Sequence, residues 1–174
     1  MSGSLVWITG LPSAGKSVFG RAAQAELYTR GVASCLLDGD EVRNALVPKH
    51  GYDAESREQF YATLGNLAVM LVQQSLVVLV AATAHRRVYR DAARARVECF
   101  LEVWIDTPLD EVRRRDTKGL YAGFSEGSQR AVPGEDLAYE PPLAPDVVAH
   151  GGADPDALTR VLALLPKRGR PKPG

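Results

Sequence analysis

Residues Gly10-Leu11-Pro12-Ser13-Ala14-Gly15-Lys16-Ser17 set two glycines, a lysine and a hydroxyl at the spacing Gly-x4-Gly-Lys-Ser. That spacing suits phosphate chemistry. The glycines let consecutive backbone N–H groups curl toward a β-phosphate, Lys16 reaches the β- and γ-phosphates, and the Ser17 hydroxyl suits a magnesium ion. The apolar run Leu5-Val6-Trp7-Ile8 precedes the loop and a helix-like stretch over 17–29 follows it, which is the strand–loop–helix setting the motif requires. The expected cofactors are therefore ATP and Mg2+. The plainer alternative is a glycine-rich turn that holds no ligand.

A second constellation, Leu37-Asp38-Gly39-Asp40-Glu41-Val42-Arg43, ends the next apolar run. Carboxylates at the C-terminal edge of a strand lie where open α/β sheets bind ligands. Asp40 is placed to accept the proton of an attacking hydroxyl or to join Ser17 in holding magnesium. The competing reading is that Asp38 or Asp40 caps a helix beginning near Glu41. His85 follows the third apolar run without a Ser or Cys partner, so it is read as an active-site-rim or surface residue. Cys35 and Cys99 are read as buried thiols, and nothing has the spacing of a structural zinc site.

These residues need a scaffold. Apolar runs at 5–9, 33–37, 76–81, 99–105 and 146–149 alternate with helix-like segments near 16–29, 55–74, 86–95, 108–116 and 155–165. The alternation predicts an α/β domain, a mostly parallel five-stranded sheet between two helical layers. Leu64, Leu67, Ala68, Leu71 and Val72 recur at helical spacing and form a core face. Between 117 and 145 the pattern weakens, with four glycines and four prolines, which marks 117–140 as a lid segment. One domain is expected over 1–165 and a disordered basic tail over 166–174.

Bulk composition narrows the function classes. The chain has 21 basic and 21 acidic residues in 174, which disfavours a general nucleic-acid binder. It has no run of 18 apolar residues and no room for a signal peptide ahead of the phosphate loop, so a cytoplasmic protein without membrane contact is expected.

The phosphate loop, Leu37-Asp38-Gly39-Asp40-Glu41-Val42-Arg43, Arg115-Asp116-Thr117-Lys118-Gly119-Leu120-Tyr121 and Tyr139-Glu140-Pro141-Pro142 occur in this order. In that order and at similar intervals they resemble the adenylylsulfate kinases, over residues 4 to about 150. The resemblance implies a P-loop kinase fold and transfer of the ATP γ-phosphoryl group to the 3′-hydroxyl of adenylylsulfate. It makes Asp40 the base or metal-linked carboxylate, and Lys118 a lid residue over the phosphates. Arg115 joins the phosphate loop on the ATP side. Asp38, Arg43, Tyr52, Arg57, Arg87, Gly119 and Leu120 fall on the acceptor side, and homodimerisation is implied. For Arg43 and Arg57 the residues alone also fit a solvated helix face, and for Lys118 an exposed loop lysine.

The acceptor side departs from the family pattern. Phe60 stands at an asparagine position, Ala62 and Thr63 at paired arginines, and Val132 at a stacking phenylalanine. Thr83-Ala84-His85-Arg86-Arg87 replaces Ile-Ser-Pro-Tyr-Arg and keeps only the last arginine. Two alternatives follow: a kinase for another hydroxyl-bearing anionic small molecule or nucleotide, and a nucleotide-binding module without transferase activity.

Overall fold

The computed structural model describes residues 3–166. From residue 167 on, the basic tail expected over 166–174 lies outside the described residues. Five strands, β1 (Ser4–Thr9), β2 (Ser34–Asp38), β3 (Val77–Ala81), β4 (Phe100–Ile105) and β5 (Val147–Ala149), form one sheet in the order β2-β3-β1-β4-β5. Every pairing is parallel, so the sheet is wholly rather than mostly parallel. All residues of β1 and β3 are buried, as expected of strands covered on both faces.

Seven helices cover the sheet: α1 (Lys16–Thr29), α2 (Gly39–Ala45), α3 (Ala54–Gln73), α4 (Arg87–Arg94), α5 (Leu109–Arg115), α6 (Leu120–Ser125) and α7 (Pro155–Leu164). One core packs Phe19, Ala23 and Leu27 of α1 and Val161 of α7 against Val6, Ile8 and Val103. The other packs α3 against Leu5, Trp7, Val78 and Val80. On α3 the buried stripe is Phe60, Tyr61, Leu64, Ala68 and Val72, with Leu67 and Leu71 half-buried beside it. Asp53 starts α3 by accepting from the Ser56 N–H at 2.9 Å, and Asp154 starts α7 by accepting from the Ala157 N–H at 2.9 Å.

Three local expectations change. Cys35 and Cys99 are free but half-buried, and Cys99 lies just before β4 instead of inside it. His85 is not at a rim: it is 5% exposed, between Tyr61 and Tyr89, because the chain after β3 turns inward there. The lid segment carries regular structure. Asp116 accepts from the N–H groups of Tyr121 and Ala122 and so nucleates α6, and Asp136 folds the following turn through the N–H groups of Ala131 and Val132.

Candidate active site

β1 is flanked by β3 on one side and β4 on the other, so the chain crosses to opposite sides of the sheet around it. The crevice beyond its C-terminal end is where such sheets bind ligands, and the phosphate loop fills that position. Gly15 has φ +109°, and a Cβ there would sit 2.5 Å from the Gly152 N. Two glycine backbones thus pack together where any side chain would push them apart. Gly10 meets Ile105 in the same way. Ala14 gives its carbonyl to the Thr107 hydroxyl at 2.9 Å and to Arg115 at 3.4 Å.

Lys16 is buried, and its Nζ donates to the Leu11 carbonyl at 2.7 Å. Burial, and then the charge of Lys118, lower its pKa from 10.5 to about 7. Ser17 Oγ donates to the Asp38 carboxylate, and the Asp40 N–H bonds the other Asp38 oxygen at 3.0 Å. Asp38 therefore caps α2 and also faces the phosphate loop, on the Ser17 side. Asp40 points to the lid and pairs with Lys118.

A cavity of about 800 Å3 opens between these groups, α3 and the lid. Pro12, Ser13, Gly15, Lys16 and Ser17 form its floor, with Asp38 and Asp40 beside them. Arg115, Lys118 and Leu120 line it from the lid side, and Arg43, Tyr52 and Arg57 from the far wall. Arg43 donates to the Gly51 carbonyl at 2.6 Å and lies 3.7 Å from the Phe60 ring centroid. Arg57 donates to the carbonyls of Tyr52 at 2.6 Å and Ala131 at 2.8 Å. Arg115 is held by Glu111.

Other expected residues lie elsewhere. Arg87 is outside this cavity, with its guanidinium on the Pro141 carbonyl at 3.1 Å. Gly119 sits at the start of α6 with φ +66° and shapes the lid rather than lining the cavity. Leu11 turns its side chain toward a separate hollow of about 400 Å3 beneath the lid. Ala62 and Thr63 also lie outside the lining. Among the departing positions, Phe60, Thr83 and Val132 line the cavity.

Some contributors went unread in the sequence. Tyr121 donates its hydroxyl to the Pro12 carbonyl at 3.1 Å, and Thr117 meets Ser13 at 3.3 Å, so the lid rests on the phosphate loop. Gly151-Gly152 after β5 is a glycine pair at a strand end, a signal available in the sequence. Lys49 and Asn44 line the cavity without any motif to announce them, and Arg130, which the sequence offers with Arg86 and Arg87 as a replacement contact for the missing arginines, lines it too.

No group of three or more His, Cys, Asp or Glu side chains that could hold a metal ion by itself occurs among the described residues. Magnesium on a nucleotide keeps several waters and takes few protein ligands. Ser17, Asp38 and Asp40 supply oxygens at the right edge of the phosphate loop.

Residues 2–150 match the model of the adenylylsulphate kinase family. The chain belongs to that family. Its sequence is 37% identical to the adenylyl-sulfate kinase of Microcystis aeruginosa over 83% of this chain and 80% of that one. It is 40% identical to the bifunctional enzyme NodQ of Azospirillum brasilense over 95% of this chain, which spans 27% of NodQ. The Mycobacterium tuberculosis APS kinase CysC, solved with AMPPNP and APS, superposes with a TM-score of 0.85 at 32% identity, over 94% of this chain and 97% of that one. The three-layer P-loop kinase fold and the ATP-dependent phosphotransferase class expected from the sequence hold for this adenylylsulfate kinase family member. No helix among the described residues is long and apolar enough to cross a membrane.

Proposed function

We propose that the chain transfers the γ-phosphoryl group of ATP to the 3′-hydroxyl of adenylylsulfate. The observation that carries this reading is one cavity in which Asp40 lies beside Lys16, Ser17 and Lys118 and opposite Arg43 and Arg57. Backbone N–H groups of the phosphate loop and Lys16 hold the β- and γ-phosphates. Asp40 takes the proton of the acceptor hydroxyl as that oxygen bonds to the γ-phosphorus and the bond to the β–γ bridging oxygen breaks, leaving ADP. Lys118 leaves Asp40 for the transferring group as the acceptor enters, and the lid excludes water, the competing acceptor. Ser17 would hold magnesium with Asp38, the carboxylate its hydroxyl meets, in place of the Asp40 expected from the sequence, and the ion would supply positive charge beside the phosphates.

A second acceptor class has a specific observation in its favour. Phe60 is 1% exposed and covers one face of Arg43, so this wall is more apolar than the family pattern. Another anionic nucleotide with a free hydroxyl is therefore the second reading. The deciding experiment is magnesium-dependent transfer from ATP to adenylylsulfate and to a panel of nucleotides and phosphorylated small molecules, with Asp40→Ala as control. Asp40-dependent formation of the 3′-phosphorylated product is expected. Transfer to another member of the panel alone would favour the second reading.

The half-buried free cysteines suit a reducing cytoplasm. A homodimer is part of the same proposal, by family resemblance, and light scattering of the purified protein tests it.

A further inference from the structure

The two buried arginines of the far wall direct donors at backbone. Arg43 Nη1 bonds the carbonyls of His50 and Gly51, at 3.4 and 2.6 Å, and Arg57 Nη2 bonds the carbonyl of Ala131 at 2.8 Å. Two of these three carbonyls adjoin a cavity-lining cation: His50 follows Lys49 and Ala131 follows Arg130, while the shorter bond of Arg43 goes to Gly51, the next residue after His50. Each buried arginine thus fixes the loop that carries one exposed cation, Lys49 after α2 and Arg130 on the lid.

The other cations of the cavity have partners. Lys16 donates to the Leu11 carbonyl, Lys118 pairs with Asp40, and Arg115 pairs with Glu111. Lys49 and Arg130 make no hydrogen bond or ion pair among the described residues, and Arg130 has only a minor electrostatic influence on Asp136. Flexible cations held at the mouth of a cavity by anchored loops can close on an anion without first breaking a pair. Arg130 presents a planar fork for two charge-assisted bonds, and Lys49 a point charge.

We propose that Lys49 and Arg130 form an anion clamp that reads the charged 5′ arm of the acceptor, with Arg43 and Arg57 also acting as positioning residues for the two loops. This rests on the adenylylsulfate reading and deepens it. It supplies cationic contacts on this chain from two loops, neither of which includes the Ala62 and Thr63 positions. The clamp acts in binding, not in the transfer step, because no proton or phosphoryl group passes through it.

The test is equilibrium binding by calorimetry of adenylylsulfate, and of adenosine as the uncharged probe, to the full chain loaded with magnesium and AMPPNP. Wild type is compared with Lys49→Ala, Arg130→Ala, the double variant and Arg130→Lys, with Tm recorded for each. Each single alanine is expected to weaken adenylylsulfate about tenfold and the double variant about a hundredfold, from the usual worth of hydrogen bonds to charged groups. Arg130→Lys should recover part of the loss, adenosine binding should stay unchanged, and KM for adenylylsulfate should rise with kcat within about twofold. A double variant that binds adenylylsulfate like wild type overturns the clamp and leaves the proposed reaction standing. Equal losses for adenylylsulfate and adenosine also overturn it, since the effect would then be structural. Wild type that neither binds nor phosphorylates adenylylsulfate overturns both readings.

Discussion

Lys118 on the lid and Asp40 at the start of α2, separated by 78 residues of chain, form an ion pair across the mouth of the phosphate loop. The side chains are 45% and 49% exposed, so the pair adds little to stability. Its position gives it another role. In the proposed reaction the carboxylate that takes the acceptor proton is held by the lysine that follows the transferring phosphate, so acceptor entry has to break this pair.

Replacing Asp40 by Ala should lower the rate of transfer about 100-fold or more, the range of a lost general base. Nucleotide affinity should change only a few-fold, because Lys16 and the loop backbone are untouched. Single-turnover rates and AMPPNP titration check both halves. A variant that keeps wild-type transfer removes Asp40 from the mechanism.

Lys118→Ala should slow transfer and raise the fraction of ATP lost to water, while Tm moves by no more than about 2 °C, as expected for an exposed pair. Product ratios and thermal unfolding measured on one preparation give the answer. An unchanged rate and an unchanged ratio together exclude the lysine.

The Lys16 ammonium has its pKa lowered to about 7 by burial and by Lys118. Phosphate oxygens beside it favour the charged form, so ATP binding should take up close to one proton at pH 8 and almost none at pH 6. Calorimetry in buffers of different ionisation enthalpy reads this directly, and a buffer-independent heat at pH 8 would contradict it. The sign for stability follows. Between pH 7 and 10.5 the unfolded chain holds this proton and the folded chain does not, so this group's contribution to stability rises with pH across that window.

Gly15→Ala and Gly152→Ala should each abolish tight nucleotide binding. A Cβ at Gly15 would lie 2.5 Å from the Gly152 N, and one at Gly152 would lie 2.5 Å from the Gly15 carbonyl oxygen. Neither backbone can yield without deforming the phosphate cradle. AMPPNP affinity falling at least tenfold is the expected reading, and wild-type affinity in either variant is the contrary one.

Glu102 on β4 is 5% exposed and receives Arg90 at 2.7 Å and Arg94 at 2.6 Å. Arg90 also bonds the carbonyls of Ala84 and Glu140, which fixes the downstream end of the lid. Glu102→Ala leaves Arg90 charged and buried, which should cost about 3 kcal/mol. At roughly 2–4 °C per kcal/mol for a domain of this size, Tm should fall by about 6–12 °C. A fall under 2 °C would show that water reaches the arginine.

The scaffold was legible because its signals are local. Five short apolar runs alternating with helical periods dictate a parallel α/β sheet, and the glycines, lysine and serine of the phosphate loop need only each other and the strand before them. The carboxylate pair Asp38 and Asp40, where β2 passes into α2, was legible as a feature for the same reason. The α2 helix was legible only as the competing reading of Asp38, as a cap, and α6 was not legible, since it is short and depends on Asp116, whose bonds to the Tyr121 and Ala122 N–H groups read equally well as a turn.

The sequence by itself determined the element order, the phosphate-binding loop and the family membership. The tertiary structure decided which side chains share a cavity. Arg87 opens α4 just beyond the cavity-lining Thr83, yet its guanidinium bonds the Pro141 carbonyl outside the cavity, while Lys49 and Arg130, in segments without periodicity, are carried into it by loops that Arg43 and Arg57 hold. Contacts between residues 74 apart, as between Arg57 and Ala131, leave no pattern in a linear chain, because they depend on how the lid folds back over the sheet.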